Sequence, residues 1–173
     1  MALSERLNTP ISTAELERRW KLVREAMSAA KIDVLLMQNN NDHMGGYVRW
    51  FTDIPATNGY PNTVVFPVDD EMTVVRQGPF GGKETPGPDH GVWRGVKQVL
   101  TTPSYASADY TKDYDAELAA KGLEPYADKT IGFVGTYQMS HAVATYVKRK
   151  FSKARHVDAT GLVDRIKIFK SAE

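Results

Sequence analysis

The chain has 173 residues, with 22 Lys and Arg against 21 Asp and Glu and a formal net charge of +1. Its apolar share of 42% and charged share of 25% are those of one globular domain, long enough to bury a core without staples. The charge balance removes the electrostatic ground for nucleic acid or an anionic membrane as partner, and the absence of cysteine excludes disulfides, thiol nucleophiles and thiolate metal sites.

Residues 1 to 11 form a polar arm without the apolar region of a signal peptide; the arm is either mobile or docked by Leu3, Leu7 and Ile11. No apolar run approaches the about 20 residues that span a bilayer, so the expected location is cytoplasmic. Ser12-Thr13-Ala14-Glu15 is a capping box, in which the hydroxyl and carboxylate satisfy N–H groups at a helix start. Leu16, Trp20, Val23 and Met27 follow on one helical face. Each such side chain contributes about 1.5–3 kcal/mol when fully buried, so this face must pack on something large. Arg18, Arg19, Lys21 and Arg24 lie largely off the stripe and read as a solvated face.

The short apolar run from Ile32 to Met37 reads as a strand covered on both faces. A polar segment follows, then an aromatic one, Tyr47 to Ile54, both read as loop; Trp50 and Phe51 are the candidates to plug the core. The turn-rich stretch Pro55 to Asn62 leads into a second buried strand, Thr63 to Pro67. Val68 to Glu71 reads as a hairpin turn before a third strand, Met72 to Arg76, which makes the sheet mixed.

Prolines and glycines argue against a long helix between residues 77 and 108, with room for a short strand at Gly95 to Leu100. A modest helix is expected from Asp113 to Lys121, with Gly122 at the C′ position, then a strand from Lys129 to Gly135. Thr136 or Ser140 caps the next helix, whose core face is Met139, Val143, Val147 and Phe151. The basic residues Lys148, Arg149 and Lys150 suit the negative end of its dipole. His156 to Ala159 reads as a short strand, and Asp158 as the cap of a last helix with Leu162, Val163, Ile166 and Phe169 turned inward.

None of His43, His90, His141 and His156 stands at a short metal-ligand spacing. Gly78 to Glu84 fails the phosphate-loop pattern, because its glycines are one residue too close and Glu84 stands where a hydroxyl would hold magnesium. No serine lies in a nucleophile elbow, and spacing singles out no carboxylate pair. Binding chemistry is therefore expected in the loop between the first two strands, where Tyr60 lies beside Gly59 and Pro61. Tyr60 either packs over its own sheet edge or serves a ligand or protein contact.

Several of these residues, in order, resemble the N-terminal domain of the creatinase, prolidase and aminopeptidase P family. Lys31 to Met37 is similar to the family's first strand, and Trp50 to Ile54 to its aromatic element, with Asp53 where glycine is usual. Thr130 to Val134 is similar to a later strand, and Val157 to Lys167 followed by Lys170-Ser171 to the closing segment. The region from Gln77 to Tyr110 matches no family pattern. The resemblance implies a three-layer α/β domain with a mixed sheet and ribonuclease H-like topology. It implies an arm at 1–12, the domain at 13–169, and at 170–173 the start of a linker to a pita-bread catalytic domain. It further implies a Xaa-Pro dipeptidase or aminopeptidase whose two divalent ions, manganese, cobalt or zinc, sit in that second domain, with no catalytic or metal residue here. A homodimer is implied, in which Asn58 and Tyr60 reach a partner subunit's peptide or small-molecule substrate. A creatinase-like hydrolase and a free-standing α/β interaction or ligand-binding domain are the alternative expectations.

Overall fold

A computed structural model describes residues 11–39, 46–54, 61–87, 91–102 and 114–171. Helix α1 (Thr13–Ala30) precedes β1 (Val34–Asn39) and a short helix α2 (Tyr47–Thr52). Strands β2 (Asn62–Pro67), β3 (Met72–Gln77), β4 (Gly82–Glu84) and β5 (Val96–Thr102) follow. Helix α3 (Tyr114–Leu123), β6 (Thr130–Val134), α4 (His141–Lys150), β7 (Arg155–Asp158) and α5 (Thr160–Lys167) complete the described elements. The strands form one mixed sheet in the order β4-β5-β3-β2-β1-β6-β7. β1 pairs antiparallel with β2 and parallel with β6, so the apolar run read from the sequence lies at the sheet's centre. All six residues of β1 and of β2 are buried.

Alternation along β1 divides the core. Leu35 and Met37 pack with Leu16, Val23, Phe51 and Val163, so α1, α2 and α5 cover one face. Val34 and Leu36 pack with Ala119, Leu123, Val143 and Val147, so α3 and α4 cover the other. This is the expected three-layer α/β arrangement.

The Ser12 hydroxyl accepts the Glu15 N–H at 3.1 Å, which starts α1 where the sequence places it. Leu16, Trp20, Val23 and Met27 are all buried. The arginines beside them are not simply solvated. Arg19 is buried and donates to Glu15 at 2.7 Å and to the Trp50 carbonyl at 3.1 Å. Arg24 stacks 4.7 Å over the Phe66 ring and donates to the Pro67 carbonyl. A long aliphatic stem lets a cation cover apolar surface while its head finds carbonyls, which a charge count does not reveal.

Three further readings are corrected. The aromatic segment is not all loop: Tyr47, Val48, Phe51 and Thr52 are the buried face of α2. Gly122 lies inside α3 and is not its C′ residue. A Cβ there would sit 3.3 Å from the Thr73 and Val65 side chains, so glycine lets α3 lie close to the sheet. Phe169 is 73% exposed, whereas Val163 is buried and Leu162 and Ile166 pack on the core edge. Among the described residues no helix is long and apolar enough to cross a membrane.

Candidate functional site

Asn58 and Tyr60 lie outside the described residues, as do His43 and His90. What the structure does describe is the frame of their segment, Asp53 and Ile54 before it and Pro61 and Asn62 after it. The frame starts at the end of β1. There the Asn39 side-chain oxygen accepts the Val48 N–H at 3.0 Å and fixes the start of α2. Thr52 closes the short helix by donating to the Val48 carbonyl at 2.7 Å and accepting the Ile54 N–H at 3.2 Å.

Asp53 then takes a left-handed conformation, with φ 52°. Few non-glycine residues do so, and the aspartate is held by its partners. Its carboxylate is 2% exposed and accepts from the Ile11 N–H at 3.0 Å and from Arg94 Nη2 at 2.9 Å. Arg94 also donates to the Ile11 carbonyl at 2.6 Å. One buried ion pair thus joins the N-terminal arm, the exit of α2 and the loop before β5. Burial pushes the Asp53 carboxyl above its ordinary range, against the pull of the Ile11 N–H and Arg94.

The rest of the frame is packing. The Trp20 indole N–H donates to the Phe51 carbonyl at 2.7 Å. A Cβ on Gly95, whose φ is +66°, would lie 2.6 Å from the Trp20 ring, so that ring and that turn require each other. Phe51 meets Trp50 and Phe66 edge to face, at 5.1 and 4.9 Å between centroids. Of the two expected core plugs, Phe51 is fully buried and Trp50 packs on the core from its edge. At the far side, Asn62 opposes Asn39 in the β1–β2 register, and both are buried. Among the described residues neither side-chain Nδ2 has an acceptor.

The neighbouring strand end is also tied down. Gln38 donates to the Thr63 hydroxyl and accepts the Ser140 N–H, both at 2.9 Å, which links β1 and β2 to the start of α4. The Tyr47 hydroxyl donates to Asp164 at 2.8 Å, joining α2 to α5; burial, then this hydrogen bond, raises the phenol far above its ordinary range.

His141 is exposed, its ring 3.2 Å from the Thr145 hydroxyl, and His156 stacks edge to face on Phe133 at 5.8 Å. Among the described residues no three His, Cys, Asp or Glu side chains form a set able to hold a metal, so these residues do not fit a two-metal centre. Sequence reasoning noted Asp53 as a replacement for glycine. It missed Arg94, 41 residues away, because nothing local marks a long-range ion pair.

A seven-stranded mixed sheet between two helical layers, with a short aromatic helix following its central strand, defines the class of domain. The family model described as the Creatinase/Prolidase N-terminal domain matches residues 19–168, and the chain belongs to that family. Among solved structures, the fold is similar to a Xaa-Pro dipeptidase from Bacillus anthracis (TM-score 0.60, 14% identity, 91% of this chain and 37% of that one). It is similar to dipeptidase PepE from Mycobacterium ulcerans (TM-score 0.60, 16% identity, 94% and 39%). It is also similar to an aminopeptidase P from Streptococcus thermophilus (TM-score 0.58, 15% identity, 88% and 98%). At these identities the likeness is one of fold, and the chain spans little more than a third of the two dipeptidases. No curated protein matches the sequence.

Proposed function

We propose that this is the non-catalytic N-terminal domain of a Xaa-Pro dipeptidase or aminopeptidase-like hydrolase. The observation that carries the reading is the family match over residues 19–168, joined to the fit of this chain on about a third of two dipeptidases. In this reading a pita-bread domain does the chemistry, where two divalent ions would activate water for amide hydrolysis. The present domain supports a cytoplasmic homodimer and lends its 54–62 segment to a partner's pocket. Asn58 offers an amide, and Tyr60 an apolar ring with a hydroxyl that keeps a hydrogen bond. The stiff frame around Asp53 and Ile54 supports this role, since a segment that reaches a substrate needs fixed ends.

The test is a Xaa-Pro dipeptide assay of the 173-residue chain, with calorimetric titration of manganese, cobalt and zinc. The reading expects neither turnover nor tight binding of two ions. Turnover with two bound ions would assign the active site to this domain and overturn the division of labour.

A further inference from the structure

From Lys121 to Asp158 the sequence holds seven Lys and Arg against three carboxylates, so this stretch carries +4 in a chain whose total is +1. The fold gathers six of the seven cations at one corner. Helix α4 ends in Lys148, Arg149 and Lys150, and Lys153 and Arg155 lead into β7. The Arg155 N–H donates to the Lys129 carbonyl at 2.9 Å, which brings the start of β6 to the same corner. All six side chains belong to exposed residues. Their partners differ from those elsewhere in the molecule, where Arg19, Arg94 and Lys97 each meet a carboxylate. Here the partners are rings: Lys129 lies 5.5 Å from the Tyr126 centroid, Lys148 5.2 Å from Phe133, Arg149 5.7 Å from Tyr146 and Lys150 5.8 Å from Phe151. A ring orients a cation without neutralising it. Among the described residues the one ion pair at the corner is Lys150 with Glu124, at 3.5 Å, and Asp158 accepts the Thr160 N–H at 2.9 Å.

The same corner carries an open edge of the sheet. Among the described residues β7 is an outermost strand and pairs with β6 alone. The N–H groups of Arg155 and Ala159 turn inward, to the carbonyls of Lys129 and Phe133. Alternation along a strand therefore turns the N–H and C=O of His156 and Asp158 outward. The corner is remote from the last described residues. The Asp33 N–H, just past α1, donates to the Thr130 carbonyl at 3.0 Å, and Thr130 pairs with Arg155, so the corner adjoins the last turn of α1. Ser171 shares a crevice with Glu15 at the first turn of that helix, and the 18 residues of α1 span about 27 Å.

We propose that β7 accepts an extended acidic segment of a partner protein as an eighth strand of the sheet, its main chain on His156 and Asp158 and its carboxylates among Lys129, Lys153 and Arg155. The edge supplies main-chain hydrogen bonds, and the uncompensated cations select for charge. The same cations deny the edge to a second copy of this chain, because pairing β7 with itself across a two-fold axis sets two basic corners together. A membrane finds nothing to draw in: the exposed large apolar side chains among the described residues, Leu22, Phe80, Tyr137, Ile168 and Phe169, all lie outside the corner. A nucleic acid fits less well, since Tyr126, Phe133 and Phe151 are buried beneath their cations and offer no face to a base, and a phosphate backbone leaves the strand edge unused.

The probe is a fluorescein-labelled twelve-residue peptide of alternating glutamate and threonine, titrated with the 173-residue chain. Two analogues separate the two kinds of contact: one has glutamine for glutamate, and one is N-methylated at every residue, so that its main chain donates nothing. The proposal expects saturable anisotropy with the parent peptide, binding about tenfold weaker at about 300 mM than at about 50 mM salt, and binding of either analogue weaker by about tenfold or more. Lys153→Glu combined with Arg155→Glu, both at exposed positions, is expected to weaken binding by about tenfold or more with unchanged circular dichroism and melting. Absence of saturable binding overturns the proposal, as does equal binding by either analogue or by the double variant. Tighter binding of a DNA duplex than of the peptide assigns the corner to nucleic acid and overturns it. A dimer of the chain alone, cross-linked through β7, assigns the edge to a second copy and overturns it as well.

Discussion

Removing Arg94 tests the frame of the candidate site most sharply. Arg94→Ala deletes the cation 2.9 Å from a carboxylate that is only 2% exposed, together with the donor to the Ile11 carbonyl. A buried charge stripped of its partner costs about 3–5 kcal/mol, a large part of the about 5–15 kcal/mol that holds a domain together. The loss has a defined pH dependence. Burial already raises the Asp53 carboxyl, and loss of Arg94 raises it further. A carboxyl whose folded pKa exceeds its unfolded value favours the fold in acid, where it is protonated, and loses that advantage as pH rises through the folded pKa. The deficit of Arg94→Ala is therefore smallest in acid and grows towards neutral pH. Adding Asp53→Gly removes the stranded charge and accepts φ 52° without a Cβ penalty, so the double variant recovers most of the neutral-pH loss. Urea unfolding at pH 4.5 and 7.5, followed by tryptophan fluorescence, measures each value. A single variant within about 0.5 kcal/mol of the parent at pH 7.5, or with a deficit independent of pH, would refute the clasp.

Three further outcomes follow from the same structure. Trp20→Ala removes a ring that is 6% exposed and bonded to the Phe51 carbonyl, and is expected to cost about 3–5 kcal/mol; an unchanged urea midpoint would show that this face is not core. Burial pushes the Asp115 carboxyl up to about 6, so its ionisation opposes folding above that pH. Asp115→Asn should therefore raise the melting temperature at pH 8 more than at pH 4.5, and an equal change at both would remove burial as the cause. Under the proposed function, in a protein that carries this domain together with the catalytic one, Tyr60→Ala should lower kcat/KM while leaving melting nearly intact; the opposite pattern would assign Tyr60 to packing.

The parts of the fold that declared themselves in the sequence were those with dense, continuous signals. Ile32 to Met37 and Thr63 to Pro67 are apolar without interruption because both faces of β1 and β2 are covered. Ser12 with Glu15, and the four-residue repeat from Met139 to Phe151, gave α1 and α4. Helix α2 was hidden because six residues are too few for a periodic pattern, and its start depends on Asn39, nine positions upstream. Strand β4 has only three residues, and the glycines around it read as turn. Exposed Phe169 was misassigned because periodicity gives the face of a helix but not where that face leaves the core. Asn58 and Tyr60, expected from the loop's chemistry and the resemblance, lie outside the described residues, and the Asp53–Arg94 clasp became visible only in three dimensions.

The proposed function makes this domain part of a hydrolase that prefers peptides with proline in the second position. Its most direct test is kcat/KM of the full-length gene product on an Ala-Pro dipeptide against Ala-Ala, with manganese, cobalt or zinc supplied. The account expects hydrolysis of Ala-Pro with a clear preference over Ala-Ala, and none from the 173-residue chain by itself. Hydrolysis of creatine in place of Ala-Pro, or no turnover of either dipeptide by the full-length product, would contradict it.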